Sequence, residues 1–180
     1  MTREPPTDSA RRATSRDSVT SQTLSPAFFT ALGTLCDRLD GTEITWAVTA
    51  STNLALRGIP VEPGDIDVVT DGLGAEAIER RFEDHVESEV SRSRSVEHRI
   101  ASDFGALDID DVRVEIIGDV EHLVDGEWVS AADVAANREF VAVDGRDVPV
   151  MTLEREREGY RELGRDQRAV LVDAHLGGDG

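Results

Sequence analysis

The sequence predicts a domain of the α/β or α+β class, in which helices flank a mixed β-sheet and further helices end the chain. Three observations predict it: a helical period of apolar residues over 28–39, β-branched segments that alternate with helical ones, and two hairpin signals at 110–111 and 144–145. Crossover helices favour parallel strand pairs, whereas hairpins add antiparallel ones. Both kinds of connection in one chain therefore indicate a mixed sheet.

The helices are predicted from their apolar spacing and their end signals. The first begins after Ser25, a good N-cap, with Pro26 at its first position. It ends before Gly41, which suits a left-handed stop. Shorter helical patterns cover 52–58 and 74–83, and two more, at 153–163 and 166–176, fill the end of the chain.

Strands are predicted where β-branched and aromatic residues replace the helical period. They cover 44–49, 65–70 and, with a weaker signal, 85–90. The segments 106–120 and 140–150 are predicted hairpins, because an Asp-Asp and an Asp-Gly pair interrupt their apolar runs. The segment around Trp128 is interpreted as a loop.

We expect residues 1–23 to form a disordered arm and residues 24–180 to form a single domain. The arm is rich in Pro, Ser, Thr, Arg and Asp and has almost no large apolar residue, so it cannot bury enough surface to fold. It also lacks the apolar core of a secretory signal. No apolar run approaches the ~20 residues that a membrane helix needs. A cytoplasmic protein without a membrane partner is expected.

The charge of the chain is strongly one-sided. It has 37 acidic and 19 basic residues, a net charge of −18, and no lysine. Such a charge repels itself at ordinary ionic strength but is screened at molar salt, where the Debye length falls to about 3 Å. This predicts an acidic protein of a halophile, with an acidic partner-binding surface as the alternative. Nucleic acid is disfavoured as a partner, because phosphate binding depends on Lys and Arg and weakens steeply in salt.

Two Asp-x-Asp triplets occur, and chance alone would produce about two in a composition so rich in aspartate. Asp108 and Asp110 run into a predicted turn, where Asp is favoured by its local hydrogen bonds. Asp65 and Asp67 instead open an apolar strand, in which residues i and i+2 point to the same face. Their carboxylates would stand side by side and repel each other unless a cation lies between them.

Glu115 is a third acid in the same kind of setting. It stands in the apolar centre of V-R-V-E-I-I (112–117), where a charge is costly to bury without a partner. If this strand lies beside that of Asp65 and Asp67, the three carboxylates form an oxygen-rich site that suits Mg²⁺. Two such metals clamp the attacking and leaving oxygens of a phosphoryl displacement. The alternative is a solvated sheet face, on which Glu115 pairs with Arg113 or another arginine.

A phosphate-binding turn is a further hypothesis. The strand at 44–49 feeds Ala50-Ser51 and then a helix start, whose free N–H groups favour an anion such as a triphosphate. The Ser51 hydroxyl would add one hydrogen bond. Arg113 shares the strand face of Glu115 and is a candidate phosphate partner, because Arg binds phosphate through two parallel hydrogen bonds. A structural ion pair is the equal alternative for Arg113.

Three segments taken together resemble the nucleotidyltransferase superfamily: W-A-V-T-A-S-T-N-L-A-L-R-G (46–58), P-G-D-I-D-V (63–68) and V-R-V-E-I-I-G-D (112–119). The likeness extends over about residues 44–176. That superfamily has a Gly-Ser turn after its first strand, then an Asp-x-Asp, then a third carboxylate on a following strand. Its members include antibiotic nucleotidyltransferases and the minimal nucleotidyltransferases of toxin–antitoxin pairs.

The resemblance implies a Mg²⁺-dependent enzyme that transfers a nucleoside monophosphate from an NTP to a hydroxyl acceptor. Asp65 and Asp67 would hold the metals, Glu115 would complete the site, and Ser51 would contact the triphosphate. Ala50 departs from the family, which usually has Gly there, because a Cβ hinders close approach to phosphate. This departure favours the alternative of a catalytically degenerate nucleotide-binding or regulatory protein. A further alternative is a toxin–antitoxin component that acts through a protein partner.

Overall fold

An eight-stranded mixed sheet runs through the part of the protein that the computed structural model describes, residues 24–131 and 133–178. Its spatial order is β3-β4-β5-β2-β1-β8-β7, and β6 pairs with β5. The strands are β1 (Trp46–Thr49), β2 (Ile66–Thr70), β3 (Val86–Ser95), β4 (Ile100–Ile109), β5 (Val112–Val124), β6 (Glu127–Ser130), β7 (Arg138–Val143) and β8 (Arg146–Met151).

The centre of the sheet holds its two parallel pairs, β2 with β5 and β1 with β8, and the other neighbouring strands pair antiparallel. The predicted mixed sheet is therefore confirmed. In this register Asp67 of β2 stands opposite Glu115 of β5 on one side and opposite Thr49 of β1 on the other. The parallel pairing of two strands far apart in sequence thus brings together the acids of both.

Helices cover the two faces of the sheet unequally. They are α1 (Pro26–Leu39), α2 (Ala50–Leu56), α3 (Gly74–Arg81), α4 (Leu153–Glu162) and α5 (Asp166–Gly178). Helices α1 and α3 seal one face, where Leu35 and Ile78 pack against Val68 and Ile116 in the main core. A second cluster joins α2 to α4 and α5. The other face of the sheet stays partly open beneath α4.

Strand β2 shows why the open face carries acids. Ile66 and Val68 are fully buried in the main core, while Asp67 and Val69, which alternate with them, are half-buried on the opposite side. Alternation with a period of two makes this division obligatory once the apolar pair faces the core. The same rule places Glu115 on the open face of β5.

The end and turn signals in the sequence agree with the structure at most elements. Helix α1 begins at Pro26 and the C-terminal helices lie where the apolar spacing predicts them. Asp110 and Asp111 turn between β4 and β5 with φ of 53° and 64°. Positive φ at both central residues is the geometry of a tight two-residue hairpin, and Asp tolerates it better than most residues.

Two strands were not predicted correctly. The segment around Trp128 is not a loop: it forms β6, and the Arg94 guanidinium lies 4.8 Å from the centre of the Trp128 ring. Strand β3 extends to Ser95, well beyond the weak signal at 85–90, although most of its side chains are exposed. An exposed edge strand shows little apolar alternation, so its length depends on its partner β4.

The predicted arm, residues 1–23, lies outside the described residues. Within them, no helix combines the length and apolarity needed to cross a membrane.

Gly74 is expected to be essential for docking α3 against the end of β2. A Cβ at Gly74 would stand 1.9 Å from the Thr70 hydroxyl oxygen, which itself donates a 2.7 Å hydrogen bond to the Thr45 carbonyl. We expect Gly74→Ala to lower the free energy of unfolding by about 1–3 kcal/mol through overpacking, as measured by chemical denaturation. Gly177→Ala is the control, since no atom lies within 4 Å of its Cβ position. Equal unfolding midpoints for the two variants would contradict the prediction.

Candidate metal centre

Three carboxylates meet on the open face of the sheet. Asp65 directly precedes β2, Asp67 lies within it, and Glu115 is the partner of Asp67 on β5. One carboxylate oxygen from each residue lies within 4.8 Å of the other two, and all three residues are half-buried. The set is composed of oxygen ligands only, which is the donor chemistry that Mg²⁺ prefers.

The negative charges of the three carboxylates are only partly compensated by a neighbouring positive charge, that of Arg113. Burial raises the pKa of Asp67 to about 8, and the neighbouring carboxylates of Asp65 and Glu115 add to the increase. The pKa of Asp65 is also raised, first by burial and then by Glu115, with a partly opposing contribution from Arg113. Like charges this close disfavour joint ionisation unless a cation compensates them. The electrostatics therefore favour a divalent cation at this point.

Arg113 forms the ion pair that the sequence left as one of two alternatives. Its Nε donates to Glu115 Oε1 at 3.1 Å, and its Nη1 donates to Glu87. It thereby neutralises part of the charge of Glu115. Two of its five N–H donors are thus used by carboxylates, and a phosphate contact would use the remaining ones.

The turn after β1 adopts a strained conformation that glycine would adopt freely. Ala50 has a φ of 56°, in the left-handed region, and it opens α2. That conformation costs a residue with a Cβ about 1–2 kcal/mol. Glycine in place of Ala50 would adopt this φ without that cost. Ser51, the other residue predicted at the turn, is half-buried at the start of the helix.

Glu156 of α4 holds this turn, and the sequence analysis missed it. Its Oε1 accepts hydrogen bonds from the Thr49 hydroxyl at 2.8 Å, the Ala50 backbone N–H at 2.9 Å and the Asn53 side-chain amide at 2.8 Å. Glu156 is buried, which raises its pKa, while these three donors act in the opposite direction. The Ala50 N–H is thus bonded to a protein carboxylate.

A cleft of about 680 Å³ extends from the carboxylates along the open sheet face, beneath α4. Thr49, Asp67 and Glu115 line it from the sheet. Tyr160 of α4 and Arg165, which follows α4, also line it. The cleft is large enough for small-molecule substrates, which occupy clefts of about 300–1,000 Å³.

The family profile of the aminoglycoside-2''-adenylyltransferases matches residues 31–174, which is most of the chain. The chain belongs to this family. A structure from Thermotoga maritima, named a "putative nucleotidyltransferase", shares 37% sequence identity with it, at a TM-score of 0.74, over 86% of this chain and 95% of that one. Comparison with curated protein sequences gives no match.

The solution structure of the antibiotic-resistance factor ANT(2'')-Ia resembles the present structure in its fold alone. It has a TM-score of 0.57 at 12% sequence identity, over 87% of this chain and 88% of that one. The nucleotidyltransferase fold, with its mixed sheet and C-terminal helices, and membership among nucleotidyltransferases are therefore both confirmed for this chain.

The stability of this adenylyltransferase-family protein is expected to fall between about pH 5 and pH 8 when no divalent metal is present. The folded state raises the pKa of Asp67 to about 8, against about 3.9 in an unfolded chain. The folded state therefore binds this proton more tightly, and the stabilisation is complete below the unfolded pKa and lost as pH rises through the folded one. Chemical denaturation across this interval, with a chelator, measures the fall.

Mg²⁺ added to the same titration is the matched condition. A cation bound by the ionised carboxylates stabilises the folded state most where Asp67 is ionised, so the pH dependence should flatten. If the free energy of unfolding of the metal-free protein stays constant or rises between about pH 5 and pH 8, the pKa of Asp67 is not raised in the folded state.

Proposed function

We propose that the protein transfers a nucleoside monophosphate from an NTP to a hydroxyl-bearing acceptor, releases pyrophosphate, and requires Mg²⁺. The observation that carries the proposal is the meeting of Asp65, Asp67 and Glu115 within 4.8 Å on the open face of the sheet. Membership of an adenylyltransferase family supports the reaction class. The cleft beside the carboxylates supports binding of both substrates on one sheet face.

Each carboxylate has a separate task in this proposal. Asp65 and Asp67 hold Mg²⁺, which when bound would neutralise phosphate charge and polarise the phosphorus that is attacked. Glu115 completes the site and accepts the proton of the attacking hydroxyl, for which a carboxylate in hydrogen-bond reach is suited. Arg113 orients Glu115 through its 3.1 Å hydrogen bond.

The triphosphate of the donor lies, in this proposal, beside the turn that follows β1. The Ser51 hydroxyl is the donor available there, because the Ala50 N–H already bonds Glu156. The resemblance to nucleotidyltransferases assigns this turn to the triphosphate, and Ala50 there has a left-handed φ, which glycine adopts without penalty. A degenerate or regulatory role, suggested by Ala50, is the alternative that the nucleotide test below decides.

Nucleotide-dependent stabilisation tests the proposal. The unfolding midpoint should rise with Mg²⁺ and at least one of ATP, GTP, CTP and UTP, measured in salt concentrated enough to screen the chain's charge. The Asp65→Ala/Asp67→Ala variant should lose that rise. Pyrophosphate release with a panel of polyhydroxylated acceptors then identifies the second substrate. No effect of any of the four nucleotides would exclude the enzyme and leave a protein that acts through a partner.

A further inference from the structure

We propose that the connection between α4 and α5 binds the β- and γ-phosphates of the NTP donor, through the Tyr160 hydroxyl and the guanidinium groups of Arg165 and Arg168. This rests on the proposed function and extends it to the residues that α4 and the following connection contribute to the same cleft. The ligand is a polyphosphate chain, and inorganic pyrophosphate is its simplest form.

The end of α4 fixes the first two of these residues relative to each other. Gly164 follows the helix with a φ of 70°, and its N–H donates to the Arg161 carbonyl at 3.0 Å. The Arg165 N–H then donates back to the Tyr160 carbonyl at 2.7 Å. This pair of hydrogen bonds is the Schellman motif, which needs the left-handed residue that glycine supplies. Arg165 is therefore held beside Tyr160 by the backbone.

Unpaired positive charge gathers at this one place. Among the described residues, every arginine except Arg99, Arg165 and Arg168 places its guanidinium against a carboxylate, a carbonyl or an aromatic ring. Arg99 lies at the same connection, since its Nη1 is 3.3 Å from the Cβ position of Gly164. In a chain of net charge −18, three arginines without an acid partner in one region indicate an anionic ligand.

Tyr160 lies within electrostatic range of both the arginines and the carboxylates. It lines the cleft and is buried, yet its hydroxyl makes no hydrogen bond within the described residues. Burial raises the pKa of Tyr160, with a further increase from Glu156, while Arg168 and Arg165 lower it. The hydroxyl is therefore a neutral donor on a residue that lines the cleft, and the charges of Glu156, Arg168, Arg165 and Asp67 all act on it.

Glu156 explains why the distal phosphates need donors on this side. A triphosphate beside the β1–α2 turn meets a buried carboxylate there, because Glu156 Oε1 already accepts the hydrogen bonds of Ala50 and Asn53. The turn can then offer little compensation for the charge of three phosphates. Tyr160 and Arg165, which line the same cleft, supply donors suited to phosphate oxygens. Arg168 follows Arg165 by three residues on α5 and acts electrostatically on Tyr160.

A comparison of ATP with AMP tests this assignment directly. Calorimetry with Mg²⁺ should show that Arg165→Gln/Arg168→Gln weakens ATP binding by about 30-fold or more, because each charge-assisted hydrogen bond contributes about tenfold. AMP lacks the two distal phosphates, so its affinity should change less than about twofold. Tyr160→Phe, which removes only the hydroxyl, should weaken ATP binding several-fold and leave the unfolding midpoint unchanged.

Arg161→Gln is the matched control, since Arg161 lies on the same helix end but pairs with Asp173. It removes one positive charge from the same region and should leave ATP, AMP and pyrophosphate affinities unchanged. The inhibition constant of inorganic pyrophosphate should follow ATP binding across the series. A KM for NTP that rises while kcat changes little is the expected kinetic counterpart.

The outcomes separate this inference from the proposed function. If ATP binding depends on Asp65 and Asp67 but not on Arg165 and Arg168, the enzyme stands and the phosphate assignment is wrong. If the arginine variant weakens ATP and AMP equally, or weakens only the acceptor, the assignment is also wrong. If wild-type protein binds neither ATP nor pyrophosphate with Mg²⁺, the proposed function and this inference fail together.

Discussion

Asp67→Asn is expected to abolish nucleotidyl transfer and, in the metal-free protein, to raise the free energy of unfolding. Metal-dependent stabilisation of phosphate charge contributes several kcal/mol to such reactions, so the rate should fall at least about a thousandfold. The same substitution removes a carboxylate whose pKa is raised to about 8 by burial and by its acidic neighbours. The carboxyl is partly exposed and water screens part of this repulsion, so we expect a gain of about 1–2 kcal/mol at pH 7.

Asp110→Asn is the matched control for this substitution. Asp110 belongs to the second Asp-x-Asp triplet, is exposed, and has a φ of 53°, which Asn tolerates. Its transfer rate should be unchanged and its stability should stay within about 0.5 kcal/mol of wild type. Steady-state kinetics measure the transfer rate of both variants, and chemical denaturation measures their stability. An Asp67→Asn protein that is inactive but also less stable would show that Asp67 is a structural residue.

The geometry of the carboxylate cluster could be predicted because it depends on two local rules. The alternation of β2 fixes which face Asp67 occupies once Ile66 and Val68 face the core, and Glu115 follows from the same rule on β5. Only the adjacency of the two strands was an assumption at the level of sequence, and the structure supplies it as a parallel pairing of β2 with β5. The roles assigned to these residues stay predictions, as does the adaptation to high salt.

Glu156 could not be predicted by the same reasoning, although the sequence contains a signal for it. The segment 154–162 alternates Glu with Arg, a pattern typical of a solvated helix face with ion pairs. Yet Leu153 and Tyr160, which are buried, share a helix face with Glu156. An acid in the middle of an apolar stripe requires a buried partner, and those partners lie about a hundred residues earlier, on a turn that only the folded chain brings close.

Glu156→Ala is expected to destabilise the protein by about 3–5 kcal/mol and to reduce transfer strongly. Its Oε1 accepts three hydrogen bonds at 2.8 to 2.9 Å in a buried site, and bonds to a charged acceptor contribute about 1.5–3 kcal/mol each. Thr49 is the strand partner of Asp67, so a loosened turn also displaces Asp67, which we propose as a metal ligand. Glu154→Ala, which changes an exposed acid on the same helix, should stay within about 0.5 kcal/mol of wild type.

Glu156→Gln separates the hydrogen bonds from the charge. Its amide oxygen can still accept from the turn, so we expect it to retain most of the stability that Glu156→Ala loses. A glutamine variant as unstable as the alanine variant would mean that the carboxylate charge, attracted by the donors of the turn, is what holds α4 in place.

The strained φ of Ala50 allows a second, independent test of the interaction between Glu156 and the turn after β1. If Glu156 holds Ala50 in its left-handed conformation, Ala50→Gly should recover about 1 kcal/mol in the Glu156→Ala background, because glycine adopts that φ without penalty. The recovered stability should be accompanied by recovered transfer, since the turn regains the shape that positions Thr49 beside Asp67. A double-mutant cycle measures the coupling. Additive effects of the two substitutions would show that the turn keeps its shape without Glu156.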